Sequence, residues 1–148
     1  MRTFGINFPF MDSNKGDFVR MTETPEQEIR SNLIHLLLTR RGSRYYMPDF
    51  GTRLYEYIFS PNDSVTYSLI EEEITEGVRK YIPNLQINKI TITDASEDDS
   101  DTSTNEEEDE RLFRVSDSST KEYTAKVKID YTTSIGAFET SDFIIINI

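Results

Sequence analysis

Residues 39–59 read TRRGSRYYMPDFGTRLYEYIF. Arg40, Arg41, Arg44 and Arg53 bracket a loop that holds Tyr45, Tyr46, Met47, Pro48 and Phe50. An ordinary small domain joins two elements with a short polar turn. Here the connection is rich in arginine and tyrosine, the residue types that supply contact area and directional donors at protein interfaces. The cluster stands out further because the chain carries a formal net charge of −11.

On the N-terminal side, Thr24-Pro25-Glu26-Gln27 is a helix start. Threonine can accept an orphan amide, proline suits the first helical position, and glutamine stands where a capping box needs it. Ile29, Leu33, Leu36, Leu37 and Arg40 follow at helical spacing, and Gly42 is the expected stop. On the C-terminal side, Val65, Leu69, Ile70, Ile74, Val78, Tyr81 and Ile82 form the stripe of a second helix that starts at Asp63 or Ser64 and is stopped by Pro83. The run Glu71-Glu72-Glu73 reads as a solvated face of that helix.

Strands come next. Leu85–Thr93 changes phase, with Leu85 and Ile87 on one parity and Ile90 and Ile92 on the other, so a bulge near Asn88 is expected. Glu122–Thr132 alternates cleanly, with Tyr123, Ala125, Val127, Ile129 and Tyr131 against Lys126, Lys128 and Asp130, as in a half-buried antiparallel strand. Phe138–Ile148 is apolar on both parities from Phe143 onward. It is therefore either buried on both faces or covered by another molecule.

Two segments stand apart. In residues 1–23, Phe4, Ile6, Phe8 and Phe10 alternate, which suits an arm packed on the domain or one docked on a partner. Residues 97–110 contain nine acids, no base and no hydrophobe. Such a run cannot offset its ordering entropy and reads as a disordered acidic hairpin insertion. It lacks the glycine turn of a calcium loop. Removing its charge leaves a nearly neutral body, so the arginines belong to a balanced domain.

With 148 residues, the chain has room for a single domain. It has no cysteine and one histidine, His35, which argues against disulfide, thiolate-metal and His-rich sites. No cofactor is expected. An acidic pI disfavours nucleic acid and anionic membranes as partners, and the apolar runs are too short to span a bilayer. No Gly-rich phosphate loop is present. A soluble protein made in the cytoplasm fits these features.

The ordered residues Thr39, Arg40, Gly42, Ser43, Arg44, Pro48, Phe50, Gly51, Leu54, Ile58 and Phe59 resemble the lysozyme-like baseplate wedge family of contractile phage tails. Relatives of that family also occur in related injection and type VI secretion baseplates. The resemblance covers Glu28 to Ile92. One departure is Ile82-Pro83-Asn84, where the family carries E-P-R, linked to docking on other wedge proteins. A neighbour such as Arg79 is the expected substitute.

The resemblance implies an α+β fold, with two main helices on a small, mostly antiparallel sheet. It also implies a structural role in the virion tail baseplate, with other wedge proteins and the tail sheath as partners and strand addition as one mode of contact. Expected interface residues are Arg41, Arg44, Tyr45, Tyr46, Pro48, Phe50, Arg79, Pro83, Asn84, Phe143 and Ile145, while Arg40 and Arg53 are expected to pair with the second helix. The alternatives are a peptidoglycan-degrading tail lysozyme and a small regulatory adaptor of the same fold. The first needs two carboxylates facing one cleft. Asp49 and Glu56 are the nearest candidates, in a context of Tyr and Arg that suits an interface better.

Overall fold

A computed structural model describes residues 5–13, 18–94, 112–114, 125–135 and 138–147. The acidic run 97–110 lies outside the described residues, as does Phe4. The elements are α1 (Pro25–Leu38), a 3-10 helix (Leu54–Phe59), α2 (Ser64–Tyr81), β1 (Leu85–Asp94), β2 (Leu112–Arg114), β3 (Ala125–Ile135) and β4 (Phe138–Asn147). The sheet order is β1-β3-β4-β2. The β1–β3 and β3–β4 pairs are antiparallel, and β2 joins β4 in parallel. The protein is thus α+β, with helices packed on a small, mostly antiparallel sheet.

The capping box forms with a shifted return bond. Thr24 Oγ1 accepts the Gln27 N–H at 3.3 Å, while Gln27 Oε1 accepts the Glu23 N–H at 3.0 Å. The end of α1 differs from expectation. The helix stops at Leu38, and Thr39 is extended because the chain there pairs with residue 52. The Thr52 N–H donates to Thr39 O at 2.9 Å, and the Arg41 N–H donates to Thr52 O at 3.0 Å. Arg40 is therefore outside the helix, and Gly42, at φ +87°, turns the loop instead of ending α1.

For α2, Asp63 is the cap, accepting the Thr66 N–H at 2.7 Å. Its buried face comprises Thr66, Ile70, Glu73, Ile74, Gly77 and Val78. Val65 and Leu69, read as core, are 66% and 44% exposed. Glu73, read as solvated, is buried instead.

The parity change in β1 resolves as a bulge. The register shifts between Ile87 and Lys89, so Leu85, Ile87, Ile90 and Ile92 stand opposite Thr133, Tyr131, Ile129 and Val127. All four thus share the face of the helix-covered core. Leu33, Leu36, Leu37, Leu54, Ile70, Ile74, Val127, Ile129, Ile144 and Ile146 are fully buried there. Each such side chain contributes about 1.5–3 kcal/mol of transfer free energy.

In β4, Ile144, Ile145 and Ile146 are all buried, so this stretch is enclosed on both faces by its own chain. An open contact surface at Ile145 is excluded, because its side chain is 1% exposed. The side chain of Phe143 lies outside the described residues, and its backbone pairs with Asp130. Sequence reading missed β2.

The N-terminal arm packs on α1 through Ser31. The Phe8 N–H donates to Ser31 Oγ at 2.6 Å, and the same hydroxyl donates to Ile6 O at 3.3 Å. The alternation of the arm does not translate into burial. Phe8 packs against the core, while Ile6 and Phe10 stay largely exposed.

Candidate docking surface

The arginine loop is a closed, internally bonded unit. Below the Thr39–Thr52 bridge, the Gly42 N–H donates to Pro48 O at 2.7 Å and the Phe50 N–H to Met47 O at 3.0 Å. Met47 holds φ +59°, a conformation that costs a side-chain-bearing residue about 1–2 kcal/mol. Gly51 has φ +111°, and a Cβ there would lie 2.3 Å from Thr39 O. The loop is anchored beneath by Thr52 Oγ1, buried and donating to Leu37 O at 3.0 Å.

Electrostatic anchoring comes from Glu73. Its Oε1 sits 2.9 Å from Arg41 Nη2 and accepts the Arg53 N–H at 3.1 Å. The arginine that pairs with α2 is therefore Arg41, whereas the sequence suggested Arg40 and Arg53, and Arg53 supplies its backbone instead. Arg41 Nε is the buried side-chain polar atom left without a partner among the described residues.

Arg44 points the other way. Its guanidinium lies 4.6 Å from the Phe50 ring centroid, a cation–π contact. Phe50 meets Tyr81 at 5.1 Å and His35 at 5.5 Å, and His35 stacks on Phe8 at 4.9 Å. These rings join loop, both helices and arm into one aromatic rail. Burial there lowers the His35 pKa from its ordinary value, and Arg44 adds to the effect.

Next to the rail is a groove of about 450 Å³, lined by Pro25, Glu28, Ile29, Asn32, His35, Phe50 and the stretch Tyr81 to Asn84. The structure thus brings Phe50, Pro83 and Asn84 together, and Arg44 lies over the Phe50 ring. Tyr45 and Tyr46 are 95% and 82% exposed, with their rings 5.5 Å apart edge to face. Pro48 is also exposed. Arg79 does not line the groove. It lies on the outer face of α2 beside Glu72 and Glu76, and the cation over Tyr81 is Lys80, at 5.1 Å.

Sequence reasoning missed Glu73 and His35. Glu73 had a legible signal, since it falls at helical spacing between Ile70 and Gly77. His35 lies one turn beyond Ser31 on the face that receives the arm.

Asp49 and Glu56 are both exposed and neither lines the groove. Among the described residues, no cluster of His, Asp and Glu is arranged to hold a metal ion. No described helix is long and apolar enough to cross a membrane.

A two-helix layer on a small sheet, with an arginine-tyrosine loop bonded to the second helix, defines a small α+β domain. The family model described as "Baseplate wedge protein gp25" matches residues 23–118. The chain belongs to this baseplate wedge family. It is 32% identical over 71 residues to the baseplate wedge protein gp25 of Enterobacteria phage T4, a match covering 46% of this chain and 54% of that protein. The chain thus matches about half the length of that curated relative.

Two solved structures share the fold. A protein described as a tail lysozyme from Geobacter sulfurreducens aligns with TM-score 0.57 at 20% identity, over 85% of this chain and 93% of that one. A chain of the anti-feeding prophage baseplate aligns with TM-score 0.54 at 13% identity, over 95% and 82%.

Proposed function

We propose that the protein is a structural subunit of the baseplate wedge in a contractile tail. In this reading it docks on the wedge core bundle through the arginine loop and the adjoining groove, and contacts the first sheath ring by strand addition at β4. One observation carries the docking reading: Arg44, Tyr45 and Tyr46 are exposed on a rigid loop beside a groove lined by Phe50, Pro83 and Asn84. Preorganised aromatic and arginine anchors cost little ordering entropy on association. Arg41, held by Glu73, supports the loop from below and takes a positioning role.

The reading is non-enzymatic. Glycoside hydrolysis needs two carboxylates across one cleft, and the groove lining contains one acid, Glu28. Partners are other wedge proteins and the tail sheath, and neither nucleic acid nor a membrane is involved. The subunit is made in the host cytoplasm and resides in the virion tail baseplate.

The test is Arg44→Ala combined with Tyr46→Ala. The purified variant should keep the wild-type unfolding midpoint, yet its incorporation into assembled baseplates should fall at least tenfold. Normal incorporation of the folded variant would remove the loop from the interface.

A further inference from the structure

Two exposed surfaces of the described chain carry opposite charge that is unmatched within the molecule. On the arginine loop, Arg40, Arg44 and Arg53 are exposed, and the exposed Tyr45, Tyr46 and Met47 stand beside them. On the outer face of α2, Glu71, Glu72 and Glu76 are exposed, together with Val65 and Leu69 toward the helix start. None of these arginines or glutamates forms an ion pair among the described residues, unlike Arg41 and Glu73. Exposed apolar side chains beside unpaired charge of one sign mark a contact surface. Within one copy the two surfaces open in different places. Arg44 packs over Phe50, which lines the groove with Tyr81, whereas the three glutamates line a separate cleft along α2.

The cleft suits a guanidinium. It has a volume of about 440 Å³, and Ser68 and Thr75 line it with short side chains. Their hydroxyls already donate to Ser64 O at 2.9 Å and to Glu71 O at 2.8 Å. The carboxylates of Glu72 and Glu76 are thus the groups open to a cation, and arginine meets carboxylates with paired, directional donors. Spacing agrees as well. Arg44 and Tyr46 are two residues apart on the loop, a reach of roughly 7 Å. Along α2, Leu69 precedes Glu72 by roughly 4.5 Å and Glu76 by roughly 10 Å. An arginine seated between the two acids therefore brings Tyr46 to the level of Leu69.

We propose that the arginine-tyrosine loop of one copy docks on the outer face of α2 of a second copy, with Arg44 between Glu72 and Glu76 and Tyr46 on Leu69. The contact is heterologous. Each copy offers its loop to one neighbour and its helix to another, so association runs head to tail, as an open chain or a closed ring. A loop on a helix buries little area, and the net charge of −11 opposes approach, so the contact is weak and reversible. It goes beyond the docking reading above. The two uses of the loop exclude each other, so the self-contact covers the loop of free subunits until a wedge partner displaces it.

Two variants test the contact by light scattering. Arg44→Ala with Tyr46→Ala removes the anchors of the loop. Leu69→Ser with Glu72→Gln and Glu76→Gln removes those of the helix. All five positions are exposed, so both variants should keep the wild-type unfolding midpoint. The mean mass of wild type should rise with concentration past that of a dimer, whereas each variant alone should stay monomeric. A mixture of the two retains one working loop face and one working helix face. It should form a one-to-one dimer and nothing larger.

Wild type that stays monomeric at the highest soluble concentration overturns the proposal. A variant that associates like wild type does the same, as does a mixture that stays monomeric or grows past the dimer. Entry into baseplates separates this contact from the docking reading. A mixture that fails to pair, with entry of the loop variant reduced at least tenfold, ends the self-contact alone. A mixed dimer, with normal entry of the loop variant, ends the docking reading alone.

Discussion

Arg41 Nη2 meets Glu73 Oε1 at 2.9 Å, with the Glu73 side chain 10% exposed and that of Arg41 27%. The same carboxylate oxygen takes the Arg53 N–H, so one buried acid fixes both ends of the arginine loop. Exposed ion pairs contribute up to ~1 kcal/mol, while breaking a buried pair costs ~3–5 kcal/mol. This pair lies between those limits. Arg41→Ala and Glu73→Ala should each destabilise the monomer by about 2–3 kcal/mol. The double variant should lose clearly less than the two single losses together, measured by urea unfolding. Arg41 thus parts company with Arg44, whose removal should leave the monomer intact.

The two loop glycines should differ. Both have positive φ, but Gly42 has open space where a Cβ would go, whereas at Gly51 that atom would strike the Thr39 carbonyl. Gly42→Ala should cost about 1–2 kcal/mol from backbone strain alone. Gly51→Ala adds a backbone clash to similar strain and should cost about 3 kcal/mol or more. Equal losses in denaturant unfolding would mean that the 39–52 bridge yields to the added methyl.

His35 gives a pH dependence with a defined sign. Burial, then the Arg44 charge, lowers its folded pKa. Below an unfolded value of ~6.5, the unfolded chain therefore binds more protons than the folded one. Stability should be complete above that pH and decline as pH falls through the lowered folded value. Between pH 7 and pH 5, the unfolding free energy of wild type should fall more steeply than that of His35→Gln. Parallel slopes would show that the imidazole is not held neutral between Phe8 and Phe50.

Much of this architecture is written in local chemistry, and what is not has a physical reason. The bulge at Asn88 is legible because a parity change in a half-buried strand has few other solutions. The caps at Thr24 and Asp63 are legible because they satisfy amides within their own helices. The end of α1 is not, since Thr39 leaves the helix to bond Thr52, a contact thirteen residues away. Glu73 keeps the helical spacing of Ile70 and Gly77, but the run of three acids masks it, and the partners that make its burial tolerable, Arg41 and the Arg53 N–H, come from the tertiary fold. β2 is too short to show a period, and its partner strand comes later in the chain. For the candidate docking surface, Phe50, Pro83 and Asn84 are legible one by one, but their meeting in one groove depends on how α1 and α2 pack.

Ile145 yields a stability prediction, not a binding one. It pairs with Lys128 and Leu112 across the sheet and is 1% exposed. Ile145→Lys places a charge where no water reaches, at a cost of about 4 kcal/mol or more. The purified variant should be largely unfolded by circular dichroism. A folded variant would mean that the lysine stem can carry its ammonium to the surface past β2.

The arm offers a selective perturbation. The Ser31 hydroxyl accepts the Phe8 N–H and donates to Ile6 O, so one side chain serves two backbone groups of the arm. Ser31→Ala leaves both without that partner, a loss of about 1–2 kcal/mol. The helix itself should not suffer, since alanine is the best helix former. Phe8 would still stack on His35, and Gly5 and Asn7 would stay bonded to Thr22 and Arg20, so the loosening should centre on Phe8. The expected result is local: faster amide exchange at Phe8 and faster proteolysis within the arm, with little change in exchange at Leu36 or Ile74. Slowed or unchanged exchange at Phe8 would show that the aromatic stack, and not the serine, fixes the arm. Uniformly faster exchange through the core would instead make the arm an integral part of the fold.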